Sequence, residues 1–268
     1  MEHDDTDASA LRQQDFSCEG PIDVWVELDS GRLDILLVEG EEGTAPHGVI
    51  VRIRPDPTSQ SAWSVGIGGL LSWLREQAGT TPLGELAAEA VRRTVIDLTG
   101  QRLTVRTPRE YPLRTVPLVI QVNAPSGSSI SARSGSADVT VTGVAASVNA
   151  ATGSGQVRAQ HCTGAAEVRT GSGDVRLGTV LGHVSARTGS GDLTVVDACA
   201  GGLELTTGSG QLRVGIHPGV RAELDVSSGS GHARSDLPVS GAPAEGNVAL
   251  RVRARTGSGD ALVTAAPS

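Results

Sequence analysis

A Gly-Ser-Gly turn, Gly-Ser-Ala in its first copy, returns seven times along the second half of this chain, and its spacing constrains the fold more than any other feature. The copies begin at Gly135, Gly153, Gly171, Gly189, Gly208, Gly229 and Gly257, at intervals of 18, 18, 18, 19, 21 and 28 residues. Four residues after each glycine stand Val139, Val157, Val175, Leu193, Leu212, Ala233 and Ala261. Six after stand Val141, Ala159, Leu177, Val195, Val214, Ser235 and Val263. Five before are Ile130, Val148, Ala166, Val184, Leu203, Leu224 and Val252, and three before are Ala132, Ala150, Val168, Ala186, Leu205, Val226 and Ala254. Apolar spacing of two on both sides of a glycine turn predicts two short strands per repeat, each with alternate side chains on one face.

One such unit cannot bury its apolar face, so neighbours must stack on it in parallel, at roughly 4.8 Å per rung. The fold class expected is all-β, a β-solenoid with two strands per 18-residue rung. The turn glycines are expected to supply positive φ, with the following Asp accepting backbone N–H groups in an Asx-type turn. Gly164, Gly182, Gly201 and Gly219 mark the opposite corner. Val144, Cys162, Val180 and Cys199 fall just before it, which predicts small core residues there, the cysteines included.

Upstream, strands are expected around Val24–Leu28, Leu33–Leu37, Val49–Ile53, Leu103–Val105 and Leu118–Val122, as rungs or a cap. Thr81-Pro82 reads as a helix start, and Leu83, Leu86, Ala87, Ala90, Val91 and Val95 recur at helical spacing up to Gly100. The apolar run from Trp63 to Leu74 suggests a second short helix. The chain therefore divides into an acidic, disordered tail over 1–19, an N-terminal β region over 20–129 with a helical insertion over 62–98, and the repeats over 130–268.

A net charge of −8 argues against non-specific nucleic-acid binding, and the repeat region contains no aromatic residue to stack on a sugar ring. Phosphate loops need a lysine or a helix after the glycines, and every basic residue here is arginine. The six histidines form no metal spacing, and a single acid per turn is too few for calcium, so no metal and no cofactor are expected. Nor does a histidine recur with the serines of the turns, so no enzyme activity is expected. Three unpatterned cysteines, no secretory leader and no transmembrane segment predict a cytoplasmic protein, with surface exposure as the alternative.

The outward positions of the repeats carry arginines. Arg133, Arg169, Arg187 and Arg255 lie two residues before a turn glycine, and Arg158, Arg176, Arg213 and Arg234 five after one. Such ladders form a candidate interaction surface for a protein partner. Self-association through solenoid ends is the other expectation, with the rung at Asp260–Val263 as the open end.

The repeats Gly153-Ser-Gly-Gln-Val157, Gly171-Ser-Gly-Asp-Val175 and Gly189-Ser-Gly-Asp-Leu193 give the chain a resemblance to a bacterial β-strand-repeat family of unknown function, often labelled putative adhesins. The entry Val122-Asn-Ala-Pro-Ser-Gly-Ser and the segment Gly31-Arg-Leu-Asp-Ile35 strengthen it. The resemblance implies a right-handed, single-stranded β-helix; the functional expectations are a non-enzymatic scaffold or protein-interaction module, with a surface adhesin binding carbohydrate or host matrix as the alternative.

Overall fold

The computed structural model describes residues 11–39, 48–56, 83–238 and 248–267. In chain order its strands are β1 (Arg12–Ser17), β2 (Asp23–Leu28), β3 (Gly31–Val38) and β4 (Gly48–Pro55), then helix α1 (Leu83–Arg93). There follow β5 (Val95–Thr99), β6 (Arg102–Arg106), β7 (Leu118–Pro125), β8 (Ser129–Ser134), β9 (Asp138–Ala145), β10 (Ser147–Thr152), β11 (Val157–Cys162), β12 (Ala166–Thr170) and β13 (Val175–Val180). The last are β14 (Val184–Thr188), β15 (Leu193–Ala198), β16 (Gly201–Thr207), β17 (Leu212–Ile216), β18 (Ala222–Ser228), β19 (Ala233–Ser235), β20 (Leu250–Thr256) and β21 (Ala261–Ala265).

From β6 onward alternate strands go to alternate sheets, and among the described residues one sheet has eleven strands and the other ten. Val157 pairs with Val175 and Val175 with Leu193, while Ala166 pairs with Val184 and Val184 with Leu203. The period thus becomes parallel register, and apolar positions stack on apolar positions. Val157, Val175, Leu193, Val184 and Leu203 are at most 1% exposed, and the inward rows of both sheets merge into one core running from Cys18 to Val263. No break in either sheet falls at residue 129, because β2 pairs with β8 and β3 with β9.

Stacking order departs from chain order at both ends. The layer β20/β21 lies inside β18/β19: β16 pairs with β20 and β20 with β18, while β17 pairs with β21 and β21 with β19. The expected open end at Asp260–Val263 is therefore corrected, since that layer is covered on both sides. Composition explains the order. The inner layer has Leu250 and Val263 where the outer one has Ala222 and Ser235, and five inward residues of the inner layer, Leu250, Val252, Ala254, Ala261 and Val263, are 0–2% exposed. Apolar burial is worth about 25 cal/mol per Å², so the richer layer belongs inside. At the other end β2/β3 is likewise enclosed, by β6 and β7, and antiparallel strands finish both sheets: β4 and β1 beyond β7, β5 beyond β6.

Three other expectations change. Arg12–Ser17 is not a disordered tail; it pairs with β4, its half-buried Phe16 packing on the core, and the Arg12 guanidinium donates to the carbonyls of Arg92 (3.0 Å) and Thr94 (2.5 Å) at the end of α1. The helix stops at Arg93, and Val95, Ile96 and Leu98 belong to a hairpin across Gly100, where β-branched alternation overrides the helical series. Ala87, Ala90 and Val91 do form its buried stripe. Thr81-Pro82, the run Trp63–Leu74 and residues 1–10 lie outside the described residues. Among the described residues no helix is long and apolar enough to cross a membrane.

The turn glycines serve close approach rather than positive φ, which none of the first or second glycines of the seven copies adopts. A Cβ on Gly153, Gly171 or Gly189 would lie 2.4 Å from the carbonyl oxygen of the equivalent glycine below, and one on Gly173 would lie 1.9 Å from the Gly155 oxygen. Turns stacked this tightly leave no room for a Cβ at these glycine positions. Beside them runs a buried ladder absent from the expectations above, formed by Thr152, Thr170, Thr188, Thr207 and Thr256. Each of the last four accepts from the N–H of its own second glycine and donates to the second-glycine carbonyl of the layer below: Thr170 to Gly155, Thr188 to Gly173, Thr207 to Gly191, Thr256 to Gly210. Ser228 continues it by donating to Gly259.

The aspartates also act between layers. Asp138 accepts from the Gln156 amide, Asp174 from Asp192, Asp192 from Gln211 and Asp260 from His232, at 2.8–2.9 Å, so they cap the next turn rather than their own. The His232 amide, and then the His232 and Arg234 charges, hold Asp260 below the usual carboxylate range. A depressed carboxylate contributes stability that is present above its unfolded-state pKa and is lost as pH falls through the lower folded value. Asp260→Asn is therefore expected to lower the urea midpoint at pH 7, and the gap to the parent protein is expected to narrow as pH falls through the lowered folded-state pKa of Asp260. Equal midpoints at pH 7 would show that the carboxylate charge contributes nothing.

Candidate interaction surface

All eight candidate arginines are exposed, but the two sheets separate them. Arg133, Arg169, Arg187 and Arg255 project from the ten-stranded sheet on β8, β12, β14 and β20. Arg158, Arg176, Arg213 and Arg234 project from the eleven-stranded sheet on β11, β13, β17 and β19. The inward faces of both sheets share one core, so the single surface read from the repeats is two surfaces facing opposite ways.

On the ten-stranded face Arg169 pairs with Glu167 at 2.5 Å and Arg255 with Asp225 at 3.5 Å, and the adjoining Arg251 and Arg253 meet Glu223 and Asp225 at 3.2 Å. Charge there is largely self-compensated, apart from Arg133 and Arg187. On the eleven-stranded face Arg158 and Arg176 are register neighbours, Thr194 follows, and Arg213 comes next. None of these three has an acidic partner among the described residues; Arg158 and Arg213 reach only the amide oxygens of Gln156 and Gln211. Arg234, at the outer edge, pairs with Asp236 at 3.2 Å.

Two further groupings escape the linear sequence. Trp25 stands outward on β2 with the Arg106 guanidinium 5.1 Å from its ring centroid, beside a concavity lined also by Ser129, Ser131 and Ser147. At the far corner Asp197, Cys199 and His217 converge. Here the core assignment of Cys199 is corrected: Val180 pairs with Ala198, which is 0% exposed, and Cys199 is one residue further on and partly exposed. Ala145 likewise replaces Val144 as the buried residue, while Cys162 does lie in the core. The Cys199 thiol donates to Asp197 Oδ2 (3.7 Å), and His217 Nδ1 stands 3.0 Å from Asp197 Oδ1. Burial, then the Asp197 charge and hydrogen bond, push this thiol above its ordinary pKa.

Comparison with known proteins places the fold. The Toastrack DUF4097 family model matches residues 119–264, more than half of the chain. This chain belongs to the Toastrack DUF4097 family. The match begins within β7 and spans every repeat, so the Toastrack region contains both arginine faces and the Asp197 corner. Solved structures similar to this Toastrack chain include one described as a putative adhesin from Bacteroides fragilis NCTC 9343, with 12% identity, a TM-score of 0.44, and 96% of this chain and 98% of that chain covered. Another so described, from Parabacteroides distasonis ATCC 8503, has 9% identity and a TM-score of 0.38, with 96% and 98% covered. No curated protein matches the chain by sequence.

Proposed function

We propose that this Toastrack chain is a non-enzymatic, adhesin-like interaction module, a right-handed β-solenoid whose eleven-stranded face receives an acidic protein surface. The observation that carries the reading is the row Arg158, Arg176 and Arg213, held in register on a rigid sheet and free of acidic partners among the described residues. Guanidinium groups so placed offer planar forks matched to carboxylates. The aspartates of the turns are engaged by backbone amides of the next layer, which supports a structural rather than a catalytic assignment for them.

Photocrosslinking in the native host tests this. A crosslinker in place of Arg176 is expected to give an adduct of defined mass, reduced at least about tenfold by Arg158→Glu with Arg213→Glu. An adduct only from position 187, on the opposite face, or none from either, would reject the assignment.

Trp25 favours a second reading, surface binding of carbohydrate, because an outward indole flanked by arginine and serine side chains suits a sugar ring. Protease treatment of intact cells carrying a tagged chain separates the two. Cleavage before lysis supports the surface adhesin, and protection until lysis supports a cytoplasmic scaffold.

A further inference from the structure

The repeat provides its own control for the corner formed by Asp197, Cys199 and His217. Cys199 and His217 are 18 residues apart where the local interval is 19, and a register shift between Val195 and Ala198 sets them at equivalent places in adjacent layers, just beyond the paired residues Ala198 and Ile216. The His217 amide donates to the Ala198 carbonyl at 3.0 Å, which fixes the histidine backbone against the layer below. In the preceding layers the corresponding position holds Thr163 and Leu181, and the position paired with Asp197 holds Thr179. Among the described residues, only here does the pattern give way to three side chains that all donate to metals.

Their geometry suits one ion. The three ligand atoms lie within 4.8 Å of one another, with Cys199 Sγ 3.7 Å from Asp197 Oδ2 and His217 Nδ1 3.0 and 3.2 Å from the two carboxylate oxygens. On tetrahedral zinc, with bonds of about 2.0–2.3 Å, neighbouring ligand atoms stand about 3.3–3.7 Å apart. Two edges of the trio already approximate that figure, and a small rotation of the exposed His217 side chain brings in the third. Sulfur, imidazole nitrogen and carboxylate oxygen together select a borderline-soft cation over calcium or magnesium, which take oxygen alone.

We propose that Asp197, Cys199 and His217 bind one zinc-class divalent cation, with water completing the coordination, and so clip the layer ending at His217 to the layer below. Binding displaces the thiol proton to solvent, and the ligands become thiolate, carboxylate and neutral imidazole. The site is independent of the arginine face, which occupies other positions.

The test uses the full chain, free of any purification tag and stripped with chelator. Titration with zinc chloride is expected to give one high-affinity ion per chain, with a dissociation constant of about 1 µM or below. Cobalt(II) is expected to produce the thiolate-to-metal charge-transfer band and the strong visible bands of tetrahedral coordination. Cys199→Ser should abolish the charge-transfer band, and Asp197→Asn and His217→Ala should each weaken zinc at least about tenfold, with far-UV circular dichroism unchanged. No binding below about 100 µM, or equal binding by the parent and all three folded variants, would overturn the proposal.

Discussion

Gly173→Ala is expected to unfold the protein at markedly lower urea, a loss of about 3–4 kcal/mol for one added methyl group. The new Cβ would stand 1.9 Å from the Gly155 carbonyl oxygen, 2.6 Å from its carbon and 3.0 Å from Thr170 Oγ1. None of these is the free end of a flexible side chain. Both turns are bound into parallel ladders, so relief would require separating two layers and stretching the bonds between them. Gly84 supplies the comparison: nothing lies within 4 Å of its position, in the first turn of α1. Gly84→Ala should leave stability within about 1 kcal/mol of the parent, or raise it. The two midpoints, measured at a common denaturant slope, decide the matter, and a Gly173→Ala cost below about 0.5 kcal/mol would show that the stacked turns are slack.

Thr188→Val should follow at about 2–4 kcal/mol. The two side chains have nearly the same shape, so the change deletes the hydroxyl alone. That hydroxyl accepts from the Gly191 N–H and donates to the Gly173 carbonyl, both at 3.1 Å and both buried. Each buried polar group left without a partner costs about 1–3 kcal/mol. Thr188→Ser keeps the hydroxyl and should cost about 1 kcal/mol, mostly lost methyl packing. If valine proves no worse than serine in equilibrium unfolding, the ladder is an ornament of the geometry rather than a source of stability.

How legible all this was depends on the range over which each cause acts. The inward residues were readable because a spacing of two repeats in every copy, and Val157, Val175 and Leu193 all meet across strands. The layer order at the C-terminal end was not, since a period identifies equivalent residues without saying which copies touch. Only the poverty of 222–235, with Ser235 in an apolar place, hinted that a better layer would displace it. The role of the glycines was misassigned for a similar reason: a left-handed φ and a neighbour's carbonyl both demand the absence of Cβ, and only coordinates separate them. The threonine before five of the turns was visible as a recurring residue, yet its value lies in bonds to the adjacent copy.

At the candidate sites the period contained more than was extracted from it. The period alone would set Cys199 beside Pro218, since the local interval is 19; the register shift after Val195 brings His217 there instead, and the addition of Asp197 required the side-chain directions at the corner. The separation of the arginines followed from the same arithmetic, because positions before and after a turn belong to different sheets. Their ion pairs did not, since Glu167, Glu223 and Asp225 act on partners chosen by register and reach.

The interchange of the last two layers has a consequence for synthesis. A ribosome releases residues 222–235 before residues 250–265, yet the later segment ends beneath the earlier one. While translation continues, β16 and β17 present bare edges, and 222–235 is the first segment available to cover them. In the native order 222–235 has, among the described residues, no partner in either sheet except 250–265, so its strands can take their final seat only after the later segment has paired with β16 and β17.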